Sequence, residues 1–254
     1  MPSPPDIYET GRLLDEYLLF HYGTAAEMLP LVAGSELAPA LTEALAASLD
    51  FAVRTVRHFS PAAGGRALDL GCAVGRSTFE LSVTCDEVIG LDFSHGFIRA
   101  ASALRDGQAL VYQQRQEAHL HRQLTAVMPA HARPERVRVE QGDAMNLRAD
   151  LGGFDRVHAA NLLCRLPDPL RLLDRLPSLV MPGGELVLAT PCTWLEEFTP
   201  PDRWPPGETF AWLRQRLEPD FTLLHATHEP FLIRETARKF QWSLSQVSLW
   251  RRRD

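Results

Sequence analysis

One glycine-containing turn stands out by its residue types and spacing. The stretch ALDLGCAVGRSTFE, residues 67–80, has the pattern of a buried strand, a turn with Gly71 and Gly75, and a helix. Such turns bring backbone N–H groups close to a nucleotide. A dinucleotide fingerprint requires glycine two residues after Gly71, where this chain has Ala73, and three residues later, where it has Arg76. A side chain at Ala73 crowds a pyrophosphate, so the turn is better suited to a ligand without phosphates.

Acidic residues follow three predicted strands and extend this argument. Asp92 lies about twenty residues past the turn, where a carboxylate accepts hydrogen bonds from both ribose hydroxyls. Asp69 precedes the turn and suits an ammonium group or an ordered loop, while Asp143 suits an adenine amino group. The alternative is that Asp69 and Asp143 only cap helices.

A ribose without a pyrophosphate indicates S-adenosylmethionine as cofactor and S-adenosylhomocysteine as product. The predicted cofactor contacts are Asp69, Gly71, Cys72, Ala73, Gly75, Asp92, Phe93, Asp143, Ala144 and Asn161.

The elements that must position these residues alternate between short apolar runs and helical patterns. Near-continuous apolar strands are buried on both faces, which is typical of a parallel sheet between helices. Strands are predicted near residues 66–71, 87–92, 137–142, 154–161, 184–190, 221–228 and 240–250. The sequence therefore predicts an α/β, Rossmann-like fold with a mostly parallel seven-stranded sheet. The last strand is expected to be antiparallel and to carry a bulge after Leu244.

The remaining segments are predicted to be helical. Apolar residues at helical spacing indicate helices over 7–22 and 36–58. The polar stretch 105–133 is interpreted as a helical insertion. We expect one domain over 1–254, with a helical cap at 1–60 and a Rossmann-like core at 61–254.

Composition limits the possible partners and the cellular compartment. The chain has 254 residues, 45% of them apolar, and a formal net charge of −6, which together disfavour disorder and a nucleic-acid or anionic-membrane partner. We find neither a membrane-spanning apolar run nor a signal-peptide pattern at the N-terminus. Four cysteines without CxxC spacing indicate reduced thiols and a cytoplasmic protein. His119 and His121 form an HxH pair with no third ligand nearby, so no metal is expected.

The chain resembles class I S-adenosylmethionine-dependent methyltransferases over about 66–191, including the stretch PGGELVLAT. It resembles more specifically the methyltransferases of ovothiol biosynthesis, whose domain also forms the C-terminal part of 5-histidylcysteine sulfoxide synthase. This resemblance rests on YETGRLLDEYLLFHYG, ALDLGCAVGRSTFEL, GLDFSHGFIRAA, AANLLCRLPDP, TPCTWLEEFTP and PFLIRETARKFQWSLSQVSLWRR. The last three stretches are not general methyltransferase motifs.

The resemblance implies transfer of a methyl group to the imidazole Nπ of 5-thiohistidine, which gives ovothiol A. It also implies a stand-alone enzyme with a small-molecule substrate and a separate sulfoxide synthase upstream, without nucleic-acid or membrane partners. Three alternatives stay open: 5-selenohistidine as substrate, another small imidazole or amine metabolite, or a non-catalytic S-adenosylmethionine-binding partner.

The acceptor side is expected to orient the reactants without a metal or a strong base, because a sulfonium leaving group needs no protonation. Asn161 follows the fourth strand, where class I folds place the acceptor. The predicted catalytic residues are Asn161, Tyr17 and His21, and the predicted substrate contacts are Tyr8, Arg12, Arg165, Trp194, Glu196 and Arg234. For the arginines a structural ion pair is an equal alternative, and for the aromatic residues a place in the core is the more common one.

Overall fold

The fold is derived from a computed structural model, which describes residues 8–32, 36, 39–61 and 64–254. The start of the predicted cap, residues 1–7, lies outside these ranges, as do residues 37–38 of the predicted second helix. In chain order the strands are β1 (Arg66–Leu70), β2 (Glu87–Asp92), β3 (Leu110–Glu117), β4 (Leu120–Ala126), β5 (Val137–Gln141), β6 (Phe154–Ala160), β7 (Val180–Thr190), β8 (Phe221–Arg234) and β9 (Phe240–Arg252). The α-helices are α1 (Gly11–Tyr22), α2 (Ala25–Met28), α3 (Pro39–Ala46), α4 (Phe51–Val56), α5 (Arg76–Leu81), α6 (His95–Arg105), α7 (Pro169–Leu179) and α8 (Thr209–Leu217).

Seven of the strands form one sheet in the order β5-β2-β1-β6-β7-β9-β8. Strands β5, β2, β1, β6 and β7 are parallel, and β9 pairs antiparallel with both β7 and β8. The order reverses at β1, so the carboxyl ends of β1, β2 and β6 meet at a topological switch point. This arrangement confirms the predicted Rossmann-like α/β fold and its mostly parallel sheet.

Helices cover both faces of the sheet, as the continuous apolar strands require. Leu68 and Leu70 of β1 belong to a core cluster with α7 and α8, whereas Ala67 faces a cluster with Phe51 of α4 and Leu81 of α5. Successive side chains of a strand point to opposite faces, so β1 contributes to both cores. None of the described helices is long and apolar enough to cross a membrane.

The predicted helix over 36–58 is wrong in its continuity, because the structure has two helices there, α3 and α4. Between them the hydroxyl of Ser48 donates to the carbonyl of Ala44 at 2.8 Å. Asp50 then adopts a left-handed conformation with φ 57°, which ends one helical path and starts the next.

The predicted helical insertion at 105–133 is also wrong: β3 and β4 form an antiparallel hairpin there. Helix α6 ends at Arg105, and Gly107 with φ 82° turns the chain away from it. Tyr112, Gln114 and other buried residues of the hairpin alternate with exposed ones, which is the period of a strand. The sequence did not reveal this alternation, because one of the buried positions, Gln114, is itself polar.

The predicted bulge in the last strand is misplaced. The register shift lies in β8, between Leu223 and His225, while Phe240 to Leu249 of β9 pair without interruption. The apolar pattern of β9 changes phase because the β8–β9 hairpin extends past β7, whose pairing stops at Gln246. We call this extension, residues 229–234 and 240–245, the arm.

Candidate functional site

A cavity of about 440 Å³ lies at the carboxyl ends of the central strands, between the sheet, α1, α4 and the arm. Its volume falls in the range of about 300–1,000 Å³ typical of small-molecule sites. Residues from all these elements line it: Tyr8, Tyr17, Phe20, His21, Phe51, Ala52, Gly71, Ala73, Ser77, Leu91, Asp92, Phe93, Ser94, Phe97, Gly142, Asp143, Ala144, Met145, Ala160, Asn161, Leu162, Arg165, Leu166, Pro167, Pro191, Thr193, Leu195, Phe231, Ile233, Gln241 and Ser243.

The glycine turn brings backbone close to the cavity. Gly71 has φ 70°, and a Cβ there would lie 3.1 Å from the side chain of Leu162. Ala73 takes a left-handed conformation with φ 47°, and its N–H donates to Oδ2 of Asp92 at 2.9 Å. Gly75, also predicted to contact the cofactor, instead precedes α5 with φ 86° and does not line the cavity. Gly71 and Ala73 of the turn therefore line the cavity, whereas Gly75 starts helix α5.

Asp92 has the geometry of a ribose acceptor. Its Oδ1 accepts the backbone N–H of Ser94 at 2.9 Å, and its Oδ2 accepts that of Ala73. These bonds fix the carboxylate and use one lone pair on each oxygen, which leaves acceptor capacity for two hydroxyl groups. Burial raises the pKa of Asp92 to about 6, against the opposing effect of the two backbone N–H groups. The residues present thus fit a nucleoside ligand.

Of the two roles predicted for Asp69, the structure favours the ordering of the turn and not a contact with an ammonium group. Asp69 is buried beneath the turn and accepts hydrogen bonds from Ser77 (2.8 Å), Thr78 (2.6 Å) and Nδ1 of His158 (2.7 Å). Burial alone would raise its pKa, but His158 and the hydroxyls outweigh burial and hold the pKa below the usual value. Asp69 does not line the cavity, so its expected contact with an ammonium group is replaced by an anchoring role. Cys72 is likewise fully buried away from the cavity.

The other predicted cofactor residues do reach the cavity. Asp143 follows β5, and its Oδ1 accepts the N–H of Met145 at 2.8 Å, which orders the loop. Ala144 lies beside it, and the ring of Phe93 is 48% exposed at the mouth of the cavity.

Aromatic rings form much of the remaining lining of the cavity. The ring of Tyr17 lies 4.7 Å from that of Phe97 and 6.4 Å from that of Tyr8, between centroids. Phe51 of α4 packs 5.1 Å from Phe231 of the arm. Burial raises the pKa of Tyr8 to about 12 and also raises that of Tyr17, so both phenols are neutral at physiological pH.

His21 is a neutral polar group in this aromatic wall. Burial lowers its pKa to about 3, although Asp69 acts in the opposite direction. Its Nδ1 is buried and has no hydrogen-bond partner among the described residues.

Two further polar side chains face the cavity from the segment after β6. Asn161 has φ 56°, and its Oδ1 accepts a hydrogen bond from Ser245 at 2.6 Å. Arg165 donates to the carbonyl of Thr193 at 2.9 Å and lies 5.0 Å over the ring of Phe198. Nη1 also donates to the carbonyl of Cys164 at 3.0 Å, and Nη2 donates to Oγ1 of Thr193 at 3.2 Å. The Nε–H and the second Nη2–H are the donors available to a ligand.

Four of the predicted substrate residues lie outside the cavity. Arg12 pairs with Glu16 at 2.9 Å on the outer face of α1. Arg234 is buried and donates to the carbonyl of Glu27, so its expected carboxylate contact is replaced by a structural one. The indole of Trp194 donates to Thr209 at 2.9 Å, while Glu196 is exposed.

Sequence reasoning missed most of the acceptor wall. Phe20, Phe51, Phe231 and Ile233 line the cavity but carry no signal of their own, since apolar residues at such positions are usually core, and a single serine such as Ser243 carries none either. The resemblance did include Phe20 in its first stretch and the arm in its last stretch, and these were the available signals.

With this geometry, the comparison with known proteins is decisive at the level of the family. Residues 41–253 match the family model described as a methyltransferase domain. The chain belongs to this family. Its domain is that of the S-adenosylmethionine-dependent methyltransferases.

Curated relatives share part of the chain. A tRNA U34 carboxymethyltransferase of Idiomarina loihiensis is 29% identical over 162 residues, which are 63% of this chain and 42% of that protein. A demethylmenaquinone methyltransferase of Clavibacter sepedonicus is 29% identical over 136 residues, 54% of this chain and 45% of that protein. The chain thus matches less than half the length of these relatives.

Solved structures share the fold. The N-methyltransferase NodS of Bradyrhizobium japonicum WM9 superposes with a TM-score of 0.52 at 15% identity, covering 80% of this chain and 94% of that one. A methyltransferase of Methanosarcina mazei gives a TM-score of 0.51 at 16% identity, with coverage of 86% and 99%. At such identities the likeness concerns the fold alone.

Proposed function

We propose that the enzyme methylates the imidazole Nπ of 5-thiohistidine and so forms ovothiol A. The observation that carries this proposal is the convergence of the three non-general stretches on one cavity wall. AANLLCRLPDP supplies Asn161 and Arg165, and TPCTWLEEFTP supplies Thr193 and Leu195. The last stretch supplies four residues of the arm: Phe231, Ile233, Gln241 and Ser243. The stretches that make the sequence resemble the ovothiol-pathway enzymes are therefore those nearest the expected acceptor.

The size and chemistry of this wall favour a small heteroaromatic amino acid. In our proposal the N-terminal helices act as a cap, in which α1 and α4 contribute Tyr17, Phe20 and Phe51 to the aromatic enclosure. Aromatic faces pack well on an imidazole ring. The partly free guanidinium of Arg165 suits the carboxylate of an amino acid, which it can bind through two N–H groups.

The electrostatics suit the transfer itself. S-adenosylmethionine supplies an electrophilic methyl group on a sulfonium sulfur. Asp92 would bind the ribose and the loop of Asp143 the adenine, which orients the cofactor in the cavity. His21 stays neutral because burial lowers its pKa, so it can hydrogen-bond the substrate ring and select its tautomer without adding a charge. The aromatic wall excludes water, and the chain's main contribution is orientation.

The product assay tests the proposal directly. Purified enzyme is incubated with S-adenosylmethionine and, separately, 5-thiohistidine, histidine, 5-selenohistidine and small amines, and products are measured by mass spectrometry. We expect a single methyl group on 5-thiohistidine, located at Nπ by NMR. Methylation of other metabolites but not of imidazole compounds, or binding of S-adenosylhomocysteine without any transfer, would overturn it.

A further inference from the structure

A buried hydroxyl of the arm holds the side-chain amide of Asn161. Ser245 of β9 is fully buried, and its Oγ donates to Oδ1 of Asn161 at 2.6 Å. The backbone N–H of Asn161 donates to the carbonyl of Ala189 at 2.8 Å. The residue is thus fixed at its backbone by β7 and at its side chain by the arm.

This contact determines which end of the amide is left for a ligand. A primary amide has one acceptor oxygen and two N–H donors. Ser245 occupies the oxygen, while Nδ2 makes no hydrogen bond to any residue that the structure describes. Asn161 lines the cavity, so the group available there is a donor.

We propose that Ser245 is a positioning residue, which presents Nδ2 of Asn161 to the methyl acceptor. The identity of that acceptor rests on the proposed function. An N–H donor that bound the reacting nitrogen would block its lone pair and prevent transfer. Nδ2 therefore binds a different acceptor atom of the substrate, the thiolate sulfur or the carboxylate, and leaves the methyl-accepting nitrogen free.

The position of Ser245 depends on the anchoring of the arm. Ser245 pairs with Glu229 across the hairpin, and Glu229 binds Arg54 at 2.8 Å and His58 at 2.9 Å. A displacement of the arm would move the hydroxyl away from Asn161, so a correctly placed donor requires the arm to be docked on α4.

Kinetics of S245A test this role, with S248A as the matched control. Ser248 is also a buried hydroxyl of β9, but it bonds to Leu188 and Trp250, away from Asn161. We expect S245A to lower kcat/KM for 5-thiohistidine about tenfold, while the Kd of S-adenosylhomocysteine changes less than twofold. An S245A enzyme no slower than S248A would overturn the proposal.

A double-mutant cycle separates positioning from general destabilisation. In an N161A background, S245A should change kcat/KM by less than twofold, because no amide remains to be held. The same tenfold loss in that background would show that Ser245 acts on the fold and not on Asn161.

NMR tests the pair even if 5-thiohistidine is not the substrate. The side-chain amide signals of Asn161, assigned by their loss in N161A, should shift in S245A and stay in place in S248A. If the enzyme binds S-adenosylhomocysteine but methylates no imidazole, the proposed function fails, and this spectrum alone decides the positioning role. Unchanged Asn161 signals in S245A would overturn it.

Discussion

Asp92 combines burial with two fixed backbone donors at the end of β2. Burial raises its pKa to about 6, above the roughly 3.9 of an unfolded aspartate. Between these values the folded chain binds more protons than the unfolded chain, so this residue makes stability fall as pH rises from about 4 to about 6. Ligand binding has the opposite sign, because ribose hydroxyls donate to the ionised carboxylate.

We therefore expect the affinity for S-adenosylhomocysteine to be roughly tenfold weaker at pH 5 than at pH 7.5, where the carboxylate is ionised. D92N should bind at least tenfold more weakly at pH 7.5, since charge-assisted hydrogen bonds contribute about 1.5–3 kcal/mol each. Calorimetry across this pH range measures both effects. A wild-type profile as flat as that of D92N would contradict the assignment.

The sequence predicts Asn161 both as a cofactor contact and as a catalytic residue, and we now expect it to serve mainly the acceptor. N161A should lower kcat at least tenfold, because it removes the donor that orients the substrate, and should change the Kd of S-adenosylhomocysteine less than twofold. Steady-state kinetics and calorimetry on the same preparation provide the comparison. A loss of cofactor affinity that matched the loss of turnover would place Asn161 in the cofactor site.

Residue types at strand ends could be predicted from the sequence, whereas partners in space could not. Asp92 was identifiable because its spacing from Gly71 is fixed by one strand–helix–strand unit. Asp69 has a similar position in sequence, but His158 and Thr78 enclose it, and both come into contact only through folding. Arg234 differs from Arg165 for the same reason, since its neighbour Glu27 is distant in sequence.

At the scale of elements, a charged cluster on α4 and the turn after it is one of the contacts that fix the arm, beside the packing of Phe231 on Phe51 and the bond from Trp242 to Ser48. Arg54 and His58 both bind Glu229, and Arg54 also donates to the carbonyl of Pro230. Burial alone would raise the pKa of Glu229, but these two partners outweigh it and hold the pKa below the usual value. The ionised carboxylate of Glu229 therefore helps to dock the arm on α4 at neutral pH.

E229Q should raise the KM for the acceptor roughly threefold to tenfold, because a charge-assisted contact is worth about 1 kcal/mol more than a neutral one. Affinity for S-adenosylhomocysteine should stay within twofold, since Asp92 lies on another wall. E117Q is the matched control, as Glu117 pairs at 3.4 Å with Arg238 in the turn beyond the arm's strands, and neither residue lines the cavity. Equal KM values for the two variants would contradict the anchoring role.

The central strands followed from the sequence because burial on both faces leaves a continuous apolar run, as in β1 and β2. The hairpin β3–β4 did not, since Gln114 is polar yet buried and its amide donates to the carbonyl of Glu27. The arm was predicted only in its second strand: 240–245 was expected to be a strand, but its partner 229–234 was not. Trp242 and Leu244, expected from their spacing to face a core, are about half exposed. In both cases tertiary contacts override the simple apolar period.

At the scale of the whole molecule, we propose that the sheet fixes the cofactor and that α1, α4 and the arm enclose the acceptor. Family membership assigns the domain to the methyltransferases. Selectivity must come from the enclosing elements, which contribute Tyr17, His21, Phe51 and Phe231 to one wall. We therefore expect the enzyme to distinguish acceptors by the shape of the imidazole ring and by the charge of its substituents.

The ratio of kcat/KM for 5-thiohistidine to that for histidine tests the central claim most directly. The two compounds share the amino acid and the imidazole, so only the sulfur can separate them. We predict a ratio of at least a hundredfold, about 2.7 kcal/mol, which one charge-assisted hydrogen bond to the thiolate and a filled apolar pocket can supply. Equal values for the two compounds would contradict the assignment to ovothiol biosynthesis.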